Sequence, residues 1–306
     1  MKIYTLTLNP AYDVHAACED LQLKRENFVA VKSRYAGGKG INISRALHNA
    51  GVAYTAFVVL GTENGEGFIK QLSEFDLNVV YLDTPGRIRE NLTIHHGADE
   101  TRISFAGFSV DEVLLRDILR RIDCDENTFV TFTGSLPSGV SKEGAKCFLQ
   151  ELKNRGAKIV LDCRSFDLAD IAQIMPWFVK PNQQEVSQWF GHDVSTVDGA
   201  ITSARKLHAM GVDNAMVSLG DKGAVLACDR VLYATAPKID AVSTIGAGDS
   251  SIAGFLSAVA NGGDSAACLA TAVAFGTAAC MTEGTEPPKE RDFQNVLANI
   301  VVQEVG

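Results

Sequence analysis

What this sequence lacks narrows its function early. No apolar run reaches spanning length without a Gly, Asp or Lys breaking it, so no membrane helix is expected. No apolar leader core follows Met1; residues 1–9 alternate as a strand does, and a cytoplasmic protein is expected. Cations are scarce. Against 37 Asp and Glu stand 28 Lys and Arg, and the net charge of -9 argues against a nucleic-acid groove or an anionic membrane as partner. The seven cysteines are scattered, odd in number and without C-x-x-C spacing, so free thiols are expected and a zinc site is not. The six histidines show no metal-type spacing, and the adjoining His95 and His96 would point to opposite faces of a strand. Two phosphate-binding fingerprints are also missing. Nothing matches G-x-x-x-x-G-K-[ST], and Gly65-Glu66-Gly67 continues as Phe-Ile-Lys instead of completing G-x-G-x-x-G.

What is present is a globular α/β pattern. With 46% hydrophobic residues in 306, the chain can bury a large core. Strand-like runs at 53–60, 128–133, 158–162, 178–180 and 214–219 are rich in Val, Ile and Phe, as strands buried on both faces are. Helical patterns fall between them near 41–50, 65–75, 110–121, 142–155 and 197–210, with an Ala-rich, all-round apolar one at 265–281. The alternation predicts a mostly parallel sheet covered on both sides by helices. Residues of about 14–35 and 89–105 break the rhythm with shorter, more polar strand-like segments, the second folding about Gly97–Glu100. They predict a small β-sheet lid inserted in a single domain that spans 1–306.

The chemistry concentrates where glycines precede helices. Gly246-Ala247-Gly248-Asp249 enters an apolar helix pattern, and a glycine turn at a helix start leaves backbone amides free at the positive end of the dipole. Such a turn stabilises charge on a transferred phosphoryl group, and a carboxylate on its rim can take the proton of an attacking hydroxyl. Taken alone, the tetrad could equally be a turn with Asp249 as a cap. Gly37-Gly38-Lys39-Gly40-Ile41-Asn42 opens another helix with a cation at its start and an amide able to bind a sugar hydroxyl, or else forms a hinge. Asp13, past the end of the first strand, could accept hydroxyl bonds or simply shape a turn. Glu185, three residues after Asn182, could hold a water on Mg²⁺ or merely complement a helix start. Ser218-Leu219-Gly220-x-x-Gly223 reads as a strand-turn-strand passing a nucleotide, or as a hairpin. Arg89, with Asn91 beside it at the start of the second lid segment, is a candidate anchor for a phosphate already on the substrate.

Taken in order, Thr7-Leu-Asn-Pro-Ala-x-Asp13, Gly37-Gly-Lys-Gly-Ile-Asn42, Gly134-Ser-Leu-Pro137, Lys180-Pro-Asn-x-x-Glu185, Val217-Ser-Leu-Gly220 and Gly246-Ala-Gly-Asp249 resemble the ribokinase-like (PfkB-type) sugar kinases over essentially the whole chain. The first two segments resemble the phosphosugar branch, which holds 1-phosphofructokinase and tagatose-6-phosphate kinase. The resemblance implies a three-layer α/β/α domain with a β-sheet lid that clasps a second copy as a homodimer. It implies ATP and Mg²⁺ as cofactors, Asp249 as catalytic base and Gly246, Ala247 and Gly248 as anion hole. Asp13, Gly38, Lys39, Asn42, Arg89 and Asn91 would bind the sugar phosphate. Asn182, Ser218, Gly220 and Gly223 would bind the nucleotide, and Glu185 would hold Mg²⁺ through water. The implied reaction is phosphorylation of fructose 1-phosphate to the 1,6-bisphosphate. Tagatose 6-phosphate, fructose 6-phosphate or another sugar are alternative acceptors, and a non-catalytic sugar-phosphate-binding regulator is the remote alternative. Two departures bear on the acceptor: Asn27 stands where the branch has a lid arginine, and Asp162-Cys-Arg-Ser165 replaces Asp-Thr-Ser-Gly or Asp-Ser-Ser-Gly, with Arg164 a candidate compensating cation.

Overall fold

A computed structural model describes residues 1–97, 99–191 and 193–305. The chain opens with β1 (Lys2–Thr7), β2 (Ala11–Cys18), β3 (Ala30–Gly37), α1 (Lys39–Asn49), β4 (Thr55–Gly61), α2 (Gly65–Ser73), β5 (Val79–Thr84), β6 (Arg89–His96) and β7 (Asp99–Ser104). It continues with α3 (Glu112–Arg121), β8 (Thr128–Gly134), α4 (Lys142–Asn154), β9 (Lys158–Cys163), α5 (Leu168–Ile174), β10 (Phe178–Val179), α6 (Gln183–Phe190), α7 (Val197–Ala209) and β11 (Asn214–Ser218). Last come β12 (Ala224–Ala227), β13 (Val231–Thr235), α8 (Ala247–Ala260), α9 (Ser265–Ala279), α10 (Glu290–Leu297) and β14 (Val301–Glu304).

The main sheet has the order β14-β13-β12-β11-β10-β9-β8-β1-β4-β5, parallel from β11 to β5 and antiparallel through β12 to β14. Its central strands are apolar on both faces because helices cover both: in β4 every residue but Thr55 is buried. The antiparallel meander at one edge was not visible as such in the strand-like runs. The first strand of that meander follows Gly220–Lys222, so the glycine pair of that motif shapes a hairpin between β11 and β12. Helix α3 starts at Glu112, two residues past the expected point, because the Asp111 carboxylate accepts from the Leu114 amide and fixes the cap there. Helix α9 is buried nearly all round, as its composition implies.

A second sheet, in the order β3-β2-β6-β7, is built from the two segments that break the βα rhythm. It spans slightly more of the chain than expected, 11–37 and 89–104, and its two hairpins are joined by the parallel pairing of β2 with β6. In the turn foreseen at 97–100, Ala98 lies outside the described residues. Leu23, Phe28, Val31, Tyr35, Ile103 and Phe105 leave apolar surface exposed on this sheet and its β2–β3 loop.

The hairpin β2–β3 of the second sheet follows β1 and returns directly into α1. Gly40 lets that helix sit against the strand end: a Cβ there would lie 2.5 Å from the Leu6 carbonyl oxygen and from Thr7 Oγ1. Gly40→Ala should therefore push α1 off β1 and destabilise the protein by about 1–3 kcal/mol, the usual cost of overpacking a close contact. Thermal unfolding of the variant against the wild type measures this, and an unchanged Tm would contradict it.

Candidate active site

A cleft of about 660 Å³ lies between the C-terminal ends of β1, β8, β9, β10 and β11 and the underside of the lid, where parallel α/β sheets place their ligands. Two helices begin in it, α1 and α8, and both start on a glycine with positive φ, Gly38 at 146° and Gly246 at 81°, with no side-chain cap. Helices α2 and α10 also lack a side-chain cap, but they start on Asn64 and Lys289 with negative φ. Helices α3, α4, α5, α6, α7 and α9 are each capped by an Asp, Ser, Asn or Thr side chain. The first-turn amides of α1 and α8 are thus left for something other than the protein's own side chains.

Asp249 is the third residue of α8 and only 6% exposed, yet it lines the cleft. Its Oδ2 accepts a 2.8 Å hydrogen bond from Asn42 Nδ2, so the side chain read as a partner for a sugar hydroxyl orients this carboxylate through its nitrogen. Burial pushes the Asp249 carboxyl up to about 6, opposed by the Lys39 ammonium and the Asn42 bond. Beneath it Lys39 does not hang free over the helix start: its Nζ bonds Asp162 Oδ2 at 2.8 Å, and Lys180 Nζ approaches the same oxygen at 3.9 Å. Burial alone would raise Asp162, but Lys180 and Lys39 hold it below the ordinary carboxylate range. Lys180 also lies against the Gly246–Gly248 turn, since a Cβ on Gly248 would be 3.0 Å from its Nζ. Two ammoniums therefore sit behind the Gly246–Gly248 turn, held by one buried carboxylate.

On one flank Asn182 caps α6 by accepting from the amides of Gln184 and Glu185, and Glu185 Oε2 accepts from the Asn182 amide at 3.0 Å. Ser218 joins them through its amide on the Pro181 carbonyl. Gly220 is exposed at its turn and Gly223 is packed against Ala234; neither lines the cleft. On the other flank Asp13 Oδ1 accepts from Asn91 Nδ2 at 2.9 Å and lies 3.6 Å from Arg102 Nη2. Arg89 reaches the Asn9 carbonyl at 3.5 Å; burial, with Arg102 nearby, pushes its guanidinium down against the pull of Asp13. Asn27 is spent on its own loop, bonding the Gln22 amide and the Gln22 and Arg25 carbonyls. Arg164 also lines the cleft.

Sequence reasoning passed over Arg102 and gave no role to Lys180 or Asp162. Alternation along β7 holds the signal for the first: Arg102 and Ser104 share a face, and Ser104 registers with Asn91. Four buried polar atoms of residues lining the cleft, Thr7 Oγ1, Asn42 Oδ1, Arg89 Nε and Thr133 Oγ1, have no hydrogen-bond partner among the described residues. Orphans of this kind clustered in one cleft fit a ligand rich in hydroxyl and phosphate oxygens.

Comparison with known proteins points the same way. Residues 10–292 match the family model described as pfkB family carbohydrate kinase. A 1-phosphofructokinase of Haemophilus influenzae is 32% identical over 259 residues, 83% of each chain. One of Borreliella burgdorferi is 29% identical over 308 residues, 99% of each. Among solved structures, phosphofructokinase-2 of Escherichia coli in complex with substrates and products superposes with a TM-score of 0.88 at 25% identity, covering 97% of this chain and 99% of that one. A buried carboxylate at an uncapped helix start, on this fold and with this family match, has one consistent reading: the chain belongs to the pfkB family of carbohydrate kinases.

Proposed function

We propose that the protein transfers the γ-phosphoryl group of ATP to a primary hydroxyl of a ketohexose monophosphate, with the 6-hydroxyl of fructose 1-phosphate as the foremost acceptor. The observation that carries the reading is Asp249 at the open start of α8 with Lys39 and Lys180 behind it. The acceptor oxygen forms a bond to the γ-phosphorus as the bond to the bridging oxygen of ADP breaks, and the hydroxyl proton passes to Asp249. The uncapped amides and the two ammoniums face the charge that spreads over the three equatorial oxygens. Asn182, Ser218 and Glu185 take the nucleotide flank. Glu185 lines the cleft with one carboxylate oxygen on the Asn182 amide, and its second oxygen suits a water of Mg²⁺. Bound there, Mg²⁺ would neutralise charge on the nucleotide phosphates.

The acceptor's existing phosphate is assigned to Arg89 and Arg102, which flank Asp13 from β6 and β7. They supply the cations that Asn27 does not, and Asp13 with Asn91 is left to grip hydroxyls. The names of the relatives support fructose 1-phosphate; the arginines themselves support any ketohexose phosphate. Steady-state kinetics on phosphorylated and free sugars discriminates, and a preference for a free sugar would overturn this reading. Arg89→Ala and Arg102→Ala should each raise KM for the preferred sugar phosphate by about ten- to a hundredfold, with KM for ATP unchanged, since a charge-assisted bond contributes roughly 1.5–3 kcal/mol.

Asp249→Asn should lower kcat by roughly 10²–10⁴-fold. In the wild type, kcat/KM should fall about tenfold per pH unit below about 6, because the ionised form is the base. The stability sign is opposite. A carboxyl raised from 3.8 to about 6 destabilises the fold at pH values above both, and that cost disappears below the lower one. Asp249→Asn should thus be more stable than wild type at pH 8, by up to about 3 kcal/mol, with the gap closing toward pH 4. Tm measured against pH for both proteins tests it; a less stable variant at pH 8 would contradict the account.

A lid-to-lid homodimer is part of the same proposal. Phe28 and Leu23 are 85% and 86% exposed in the single chain, and with Val31, Ile103 and Phe105 they form apolar surface that a second copy would cover. Phe28→Asp should shift the protein toward monomer in light scattering after size exclusion, and a wild type that is itself monomeric at micromolar concentration would refute the dimer.

A further inference from the structure

Arg45 is a buried cation outside the groups assigned above. It lies on α1, one turn after Asn42, and its side chain is 5% exposed. Its Nη2 donates to Glu286 Oε1 at 2.7 Å and its Nη1 approaches the Thr285 carbonyl at 3.5 Å. The guanidinium lies 3.9 Å over the Phe75 ring, and Nε has no partner. Burying a charge this deeply costs several kcal/mol, and one half-exposed carboxylate is a weak return in stability alone. The loop it holds is what gives the arrangement a consequence.

Residues 282–286 follow α9 and come back against the anion turn. Thr285 backs Gly246 closely: a Cβ on that glycine would meet Thr285 Cα at 3.4 Å and Thr285 Cβ at 3.5 Å. Thr285 also lines the cleft. The loop is tied to the same turn through Ser243 Oγ, 3.5 Å from the Gly284 carbonyl, and closed on itself by Thr282 Oγ1, 2.8 Å from the Ala279 and Glu286 carbonyls. One helix thus carries Asn42, which orients Asp249, and Arg45, which holds the wall behind Gly246.

We propose that Arg45 is a positioning residue for phosphoryl transfer: through Glu286 and Thr285 it fixes the left-handed turn at Gly246 and so aims the first amides of α8 into the cleft. The inference goes beyond the choice of acceptor and rests only on the chain being a carbohydrate kinase. Because the link runs to the anion turn and not to the lid arginines, loosening it should act on turnover and spare acceptor binding.

Glu286→Gln and Arg45→Lys test this, with kcat referred to active sites titrated with a nucleotide analogue and measured on whichever acceptor the sugar panel ranks first. Each variant should lose about tenfold or more in kcat, the scale of a small misalignment of catalytic groups, with acceptor KM unchanged within about twofold. The double variant should be no worse than the weaker single one, since both break one link. A purely structural ion pair would lower Tm and leave the titrated kcat alone. That result, or a loss appearing in acceptor KM, overturns the proposal. Should Arg45→Lys fail to fold, Glu286→Gln at its half-exposed position decides alone.

Discussion

The site depends on one electrostatic arrangement, the convergence of two uncapped helix starts on a carboxylate held out of water. Six of the other helices, α3, α4, α5, α6, α7 and α9, are capped by their own side chains. At Gly38 and Gly246 the chain uses glycines with positive φ and leaves the amides open. An anion placed there meets oriented dipoles that need no reorganisation, and the Lys39–Asp162–Lys180 cluster adds net positive charge behind them. The same field keeps Asp249 from rising further than burial alone would drive it. An acidic chain thereby builds a local anion site from few cations.

The fold supplies that convergence through topology. Strand β1 lies inside the main sheet between β8 and β4 and leads into the second sheet, whose β3 returns straight into α1. The groups on β2, β6 and β7 proposed to bind the sugar are therefore close in the chain to the helix whose Asn42 orients Asp249. Asp13 and Arg102 sit on the second sheet, while Asn42 and Asp249 sit on helices packed against the main one.

Much of this was legible in the sequence because it is local. Glycine clusters before apolar helix patterns mark α1 and α8, and Val- and Ile-rich runs mark the buried strands. Segments too polar for central strands mark the second sheet. What could not be read is what distance hides. Asn42 bonds Asp249 across 207 positions, and Lys39 bonds Asp162 across 123. Both partners were in view separately, but no periodicity pairs them. Arg102 needed the register of β7 on β6, which a hairpin guess does not fix to the residue. Gly220 and Gly223 are ambiguous for the opposite reason: a hairpin and a tight contact with Ala234 are local needs that call for the same glycines as a nucleotide turn.

The most direct test of the central claim is a structure of the protein with ADP, a planar aluminium fluoride and the preferred sugar phosphate. The account predicts the fluoride at the amides of Gly248 and Asp249, with the acceptor hydroxyl within hydrogen-bond reach of the Asp249 carboxylate. A fluoride bound away from the start of α8, or an acceptor oriented by another side chain, would contradict it.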